Sequence, residues 1–130
     1  MKTYMSDTHS LLWAFTRPNK LGDKARFAFD EVAKGSAVLL IPVIVLAELI
    51  FTVENKPIQA DLKEILTRLR SSSNVQFVDL EFETVSRLPV LTAIPEMHDR
   101  LIVAEALRQN AALITRDESI MNSGLVNVVW

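Results

Sequence analysis

The stretch Val38-Leu39-Leu40-Ile41-Pro42-Val43-Ile44-Val45-Leu46-Ala47-Glu48-Leu49-Ile50-Phe51-Thr52-Val53 decides how this chain folds. An apolar run of this kind is either a membrane span or the interior of a folded domain. It is shorter than the roughly 20 residues that a spanning helix needs. Glu48, near its middle, would be costly in hydrocarbon. Pro42 divides it: a proline suits the start of a helix, where its missing N–H costs nothing. The run therefore reads as a buried strand, Val38 to Ile41, followed by a buried helix to about Glu54. Its β-branched residues would also suit a strand, but its length favours a helix.

Outward from this stretch, strands and helices alternate. Towards the N-terminus, residues 3–6 predict a short strand, Thr8 to Phe15 a helix, and residues 22–34 a second helix with Ala25, Phe29 and Val32 in register. Arg17-Pro18-Asn19 breaks the first helix, and Gly35 suits the left-handed cap of the second. Towards the C-terminus, Pro57 is expected to open a helix through Leu69, with Leu62, Ile65, Leu66 and Leu69 on its buried face. A strand at Val75 to Val78 follows, then a helix from Glu81 to Leu88 with Phe82 and Val85 inward. A helix from His98 to Gln109, a strand at Ala112 to Ile114, a helical turn at Asp117 to Asn122 and a strand at Val126 to Val129 complete the chain. Strands separated by helices imply right-handed crossovers and a parallel sheet covered on both faces. Ligands bind such sheets beyond the carboxyl ends of their strands.

The composition sets bounds on function. One domain fits 130 residues, 49% of them hydrophobic, with only three Gly and five Pro. With no cysteine, disulfides, thiolate zinc sites and cysteine nucleophiles are excluded, and a reducing, cytoplasmic setting is expected. Asp7 and His9 interrupt what a signal peptide would keep apolar. Fourteen basic against sixteen acidic residues give a net charge of −2. That is not the charge of a protein that coats nucleic acid. If four acids are set aside as metal ligands, the balance of the rest turns slightly basic.

Four acids stand out. Asp7 follows the first strand, and Asp117 follows the Ala112 strand after Thr115 and Arg116. Asp99 opens the helix that leads into that strand. Glu48 lies about two turns into the helix after the Val38 strand. All four belong at the carboxyl edge of a parallel sheet. Each has a purely structural alternative. Asp7 suits a helix N-cap, and Asp99 suits a helix dipole. Thr115-Arg116-Asp117-Glu118 has capping-box spacing, with Thr115 as cap and Glu118 reaching back. Glu48 has no capping role; an arginine partner is its structural alternative. Gathered carboxylates repel one another, and oxygen-only ligands suit Mg²⁺ or Mn²⁺. His98, Arg100 and Arg116 adjoin these acids, as possible substrate contacts or as charge balance. Trp13 and Trp130 read as packing residues, and the basic stretches 17–26 and 56–70 as solvated faces. Glu105 falls roughly 120° around the helix from Asp99, outside the acidic set.

Ser6-Asp7-Thr8-His9-Ser10-Leu11-Leu12-Trp13, Leu46-Ala47-Glu48-Leu49, His98-Asp99-Arg100-Leu101-Ile102-Val103-Ala104-Glu105-Ala106 and Ile114-Thr115-Arg116-Asp117 resemble, in order, the four acidic motifs of PIN domains. The resemblance spans essentially the whole chain, so residues 1–130 are expected to form a single PIN-like domain. It implies a three-layer α/β/α fold around a parallel sheet of about five strands, and Mg²⁺- or Mn²⁺-dependent cleavage of RNA by Asp7, Glu48, Asp99 and Asp117. A chain of this size is similar to VapC toxins, which implies an antitoxin partner and a homodimer. Ser6 and the spacer Ile94-Pro95-Glu96-Met97 depart from the family's commoner residues without removing an acid. Two other classes remain open: a phospho-acceptor signalling domain, which would bring adjacent acids and a late lysine, and a noncatalytic binding partner whose acids are caps and ion pairs.

Overall fold

The computed structural model describes all 130 residues. Five strands, β1 (Lys2–Ser6), β2 (Ala37–Pro42), β3 (Val75–Val78), β4 (Ala112–Ile114) and β5 (Val128–Val129), form one sheet in the order β3-β2-β1-β4-β5. Every pairing is parallel. Seven helices connect them: α1 (Thr8–Thr16), α2 (Asp23–Ala33), α3 (Val43–Asn55), α4 (Leu62–Ser71), α5 (Phe82–Val85), α6 (Met97–Arg108) and α7 (Glu118–Ser123). The fold is therefore the expected α/β/α sandwich. Helices α1, α2 and α4 share one side, where they line a groove over β2 and β3. The β3-to-β4 connection reverses the direction of travel across the sheet, and right-handed crossover carries α5 and α6 to the opposite side.

The deciding stretch folds as read. β2 is buried along most of its length, and Val45 and Leu49 of α3 are fully buried. Pro42 closes β2 and occupies the N-cap of α3 rather than its first turn. β4 is wholly buried, whereas β3 and β5 are short, half-exposed edges. Short edges limit pairing with other chains. Gly35 has φ +83°, the left-handed conformation expected after α2.

Several expectations are corrected. The helix placed at Pro57 begins at Leu62, because Asp61 supplies the cap: its Oδ1 accepts from the Glu64 N–H at 3.1 Å. Lys56, before the proline, is extended, as proline demands of its predecessor. The helix expected over Glu81 to Leu88 is only one α-turn long. It faces the other way, with Phe82 80% exposed, Val85 exposed and Thr84 buried. A buried polar pair sets this face. Thr84 donates to Glu105 Oε1 at 2.8 Å, and that carboxylate also takes Gln109 and lies 3.7 Å from Arg108. The last strand is two residues rather than four.

Candidate active site

β1 and β4 lie side by side, with Ser6 opposite Ile114 at their carboxyl ends. From β1 the chain builds outward through β2 and β3, then returns to place β4 on the other flank. This makes the β1/β4 boundary the switch point at which open α/β sheets form a crevice. Asp7 leaves one side of that boundary and Asp117 the other. Helices α3 and α6 both start at the same edge and bring Glu48 and Asp99.

The result is an open cavity of about 280 Å³ lined by Asp7, Thr8, His9, Glu48, Thr52, Glu96, Asp99, Ile102 and Asp117. All four sequence-selected acids line it. A fifth, Glu96, was not selected. Its sequence signal is that of a helix N-cap three residues before Asp99, and it does cap α6: Oε2 accepts from the Asp99 N–H at 2.8 Å. Its Oε1 pairs with His98 Nδ1 at 2.6 Å. That hydrogen bond raises the His98 pKa. No lysine lines this cavity, so the phospho-acceptor reading lacks its late cation.

The acids are held unequally. Asp7 caps α1, accepting from the Ser10 N–H at 2.9 Å through Oδ1. Its Oδ2 accepts from the Thr115 hydroxyl at 2.5 Å. Thr115 in turn accepts from the Asp117 N–H at 3.1 Å, so one buried hydroxyl ties together the ends of β1 and β4. Asp117, not Thr115, is the N-cap of α7, accepting from the Ile120 N–H and the Ser119 hydroxyl. Thr8 donates to Glu48 Oε1 at 2.9 Å. Glu48 forms no salt bridge, which removes the arginine-partner alternative. The Asp99 carboxylate has no hydrogen-bond donor from the protein. Burial pushes its pKa up to about 6, helped by the charges of Asp117, Glu96, Asp7 and Glu48. Desolvation of a carboxylate and neighbouring like charges both act in this direction.

As placed, no three of these side chains converge tightly enough to hold one ion. Mutual repulsion among uncompensated carboxylates acts in this direction. The donor set nevertheless fits a hard divalent cation: each of the four acids offers carboxylate oxygens with unused lone pairs, and Asp99 has no protein donor to give up. The neighbouring cations do not fill the gap. Arg100 donates to the backbone carbonyls of Ile94 and Leu88, and Arg116 stands over the Trp13 ring at 4.6 Å.

A parallel α/β sheet with a carboxylate-lined cavity at its switch point defines a class of α/β domains suited to holding a hard divalent cation at that edge. The family follows directly. The model for the PIN domain matches residues 4–122, and the chain belongs to that family, whose members are nucleases. No curated protein matches the chain by sequence. Among solved structures, VapBC2 from Rickettsia felis bound to a promoter DNA fragment is similar, with TM-score 0.68, 22% identity, and coverage of 97% of this chain and 96% of that one. A toxin–antitoxin complex from Klebsiella pneumoniae has TM-score 0.66 and 17% identity, with 95% and 94% covered. DNA-bound VapBC from Salmonella typhimurium has TM-score 0.66 and 15% identity, with 98% and 97% covered. At these identities the likeness is one of fold.

Proposed function

We propose that this chain is a Mg²⁺- or Mn²⁺-dependent endoribonuclease, the toxin of a toxin–antitoxin pair. The observation that carries the reading is the convergence of Asp7, Glu48, Asp99 and Asp117 on one cavity at the sheet's switch point. Asp7, Asp99 and Asp117 would hold the ion. A bound divalent cation supplies charge stabilisation to the phosphodiester and acidifies water.

The chain's own residues do the rest. Thr115 fixes the Asp7 carboxylate, and Asp117 is fixed by its cap, so these two acids are preorganised. Asp99, which has no protein donor, would be the acid free to complete the metal site. Thr8 holds one oxygen of Glu48, leaving the other to accept a proton from the attacking water as general base. The water's proton passes to Glu48 as its oxygen bonds to phosphorus, the P–O bond opposite breaks, and the departing oxygen takes a proton from solvent.

The antitoxin partner is supported by the solved relatives, which are described as VapBC or toxin–antitoxin complexes. A homodimer is part of the same proposal, and Phe51, Phe82 and Val90 stand exposed, at 68%, 80% and 78%. No helix is long and apolar enough to cross a membrane, and a cytoplasmic setting is part of the same proposal. The test is hydrolysis of RNA by the purified chain with Mn²⁺ and with excess EDTA. Cleavage that requires Mn²⁺ and is lost in Asp7→Asn supports the reading; full cleavage in EDTA overturns it.

A further inference from the structure

A second cavity, of about 240 Å³, adjoins the acidic one and shares His9 and Thr52 with it. Its other lining residues are Leu12, Trp13, Thr16, Arg17, Lys20, Lys56 and Ile58. Its walls are the packed pair α1 and α3. On α1, His9 and Trp13 stand four residues apart, and Arg17 closes the helix just beyond them. On α3, Glu48 and Thr52 do the same, and Lys56, extended, follows the helix's last residue. Residues at this spacing share a helix face. Each wall therefore starts at the acidic edge of the sheet and ends in a cation.

Two more cations come from elsewhere. Lys20, in the turn after α1, lies over the Trp13 ring at 5.3 Å, and Arg116, from the loop after β4, lies over it at 4.6 Å. Arg17, Lys20, Lys56 and Arg116 are all exposed, and none forms a salt bridge. The C-terminal dipoles of α1 and α3 account for favourable placement of Arg17 and Lys56. They do not account for Lys20 and Arg116, which converge on one indole from separate segments.

We infer that this groove is the track for the RNA strand flanking the cleaved bond: its cations take successive phosphates, and His9 and Thr52 carry the strand over the border into the acidic cavity. The inference rests on the ribonuclease reading. A chain of net charge −2 cannot attract RNA by overall charge, so it needs a local cationic strip beside its acids. Trp13 serves as the platform that orients two of the cations. Both tryptophans of the chain report on the groove, because Trp130 packs edge-on against Trp13 at 6.1 Å.

The experiment measures binding of a short fluorescein-labelled single-stranded RNA of mixed sequence in Mn²⁺. The chain carries Asp99→Asn to prevent cleavage, and intrinsic tryptophan fluorescence is followed alongside. Adding Arg17→Gln, Lys20→Gln, Lys56→Gln and Arg116→Gln together is expected to weaken binding by at least about ten-fold at moderate salt. The salt slope should flatten by about 3, at roughly 0.7 per single-strand phosphate contact. RNA should quench the tryptophans of the parent. Lys24→Gln with Arg70→Gln, exposed positions lining neither cavity, should cost much less. Equal losses in the two sets, or no loss in the groove set while the wild type still cleaves RNA, overturn the track and leave the ribonuclease reading standing. A wild type that neither binds nor cleaves RNA overturns both. Quenching by polyglutamate and not by RNA overturns the track in favour of an acidic protein segment.

Discussion

Replacing Asp99 by Asn should make the metal-free protein more stable and at the same time abolish its activity. Asp99 is the one cavity acid without a structural hydrogen bond, so its substitution removes charge with little else. Its folded pKa is about 6, against 3.8 for the free side chain. Between those values the folded protein holds a proton that the unfolded chain has released. Stability is therefore lost as pH rises through this window, and the full penalty is present at neutral pH. A shift of about two units has a ceiling near 3 kcal/mol, and solvent screening of this half-exposed group reduces it to about 1 kcal/mol. For a chain of this size that corresponds to about 4 °C in Tm. The assay is thermal unfolding of wild type and Asp99→Asn in EDTA at pH 7.5 and at pH 4. The variant should melt higher at pH 7.5, and the gap should shrink at pH 4. Mn²⁺ should raise the wild-type Tm by far more than that of the variant. A lower or unchanged Tm at pH 7.5, or an equal gain at both pH values, would show that burying the Asp99 charge among its acidic neighbours does not oppose folding.

Thr115→Val removes the hydroxyl that joins Asp7 to Asp117 and should weaken Mn²⁺ binding by about ten-fold or more; unchanged affinity by calorimetry would deny Thr115 its positioning role. Tyr4 is the only tyrosine. Burial, with its hydrogen bond to Glu31 and that residue's charge, pushes its pKa up to about 12. The tyrosinate absorbance should therefore rise well above pH 10 in the folded protein, with stability falling as pH climbs through this range, and a midpoint near 10 with the fold intact would contradict the burial. Asp61→Ala should cost about 1 kcal/mol through the lost cap of α4, measured by urea unfolding; no change would mean that Pro57 or another residue sets that helix's start.

The strands and the acids were legible because both obey simple periodic rules. Val38 to Ile41 is continuous and apolar because β2 is buried, and Glu48 is conspicuous because its neighbours are not polar. What escaped was set by tertiary pairing. The direction of α5 depends on Glu105, 21 residues beyond Thr84, and outward-facing Phe82 gives no local hint of it. Glu96 was hidden by its capping role, although it caps α6 and borders the cavity at once. The Thr115 hydroxyl reads locally as a cap, yet its main partner is Asp7, 108 residues earlier. The cations of the second groove read singly as solvated side chains, and only the packing of α1 on α3 aligns them.

Activity of the proposed kind requires that Asp7, Glu48, Asp99 and Asp117 close around one hard divalent ion and its water. Crystals soaked in Mn²⁺ and measured at the manganese absorption edge test that requirement directly. An anomalous peak is expected within the acidic cavity, with oxygens of Asp7, Asp99 and Asp117 at about 2.0–2.2 Å and Glu48 facing its water. A cavity without manganese at saturating concentration, or a peak held only by acids elsewhere on the surface, would contradict it.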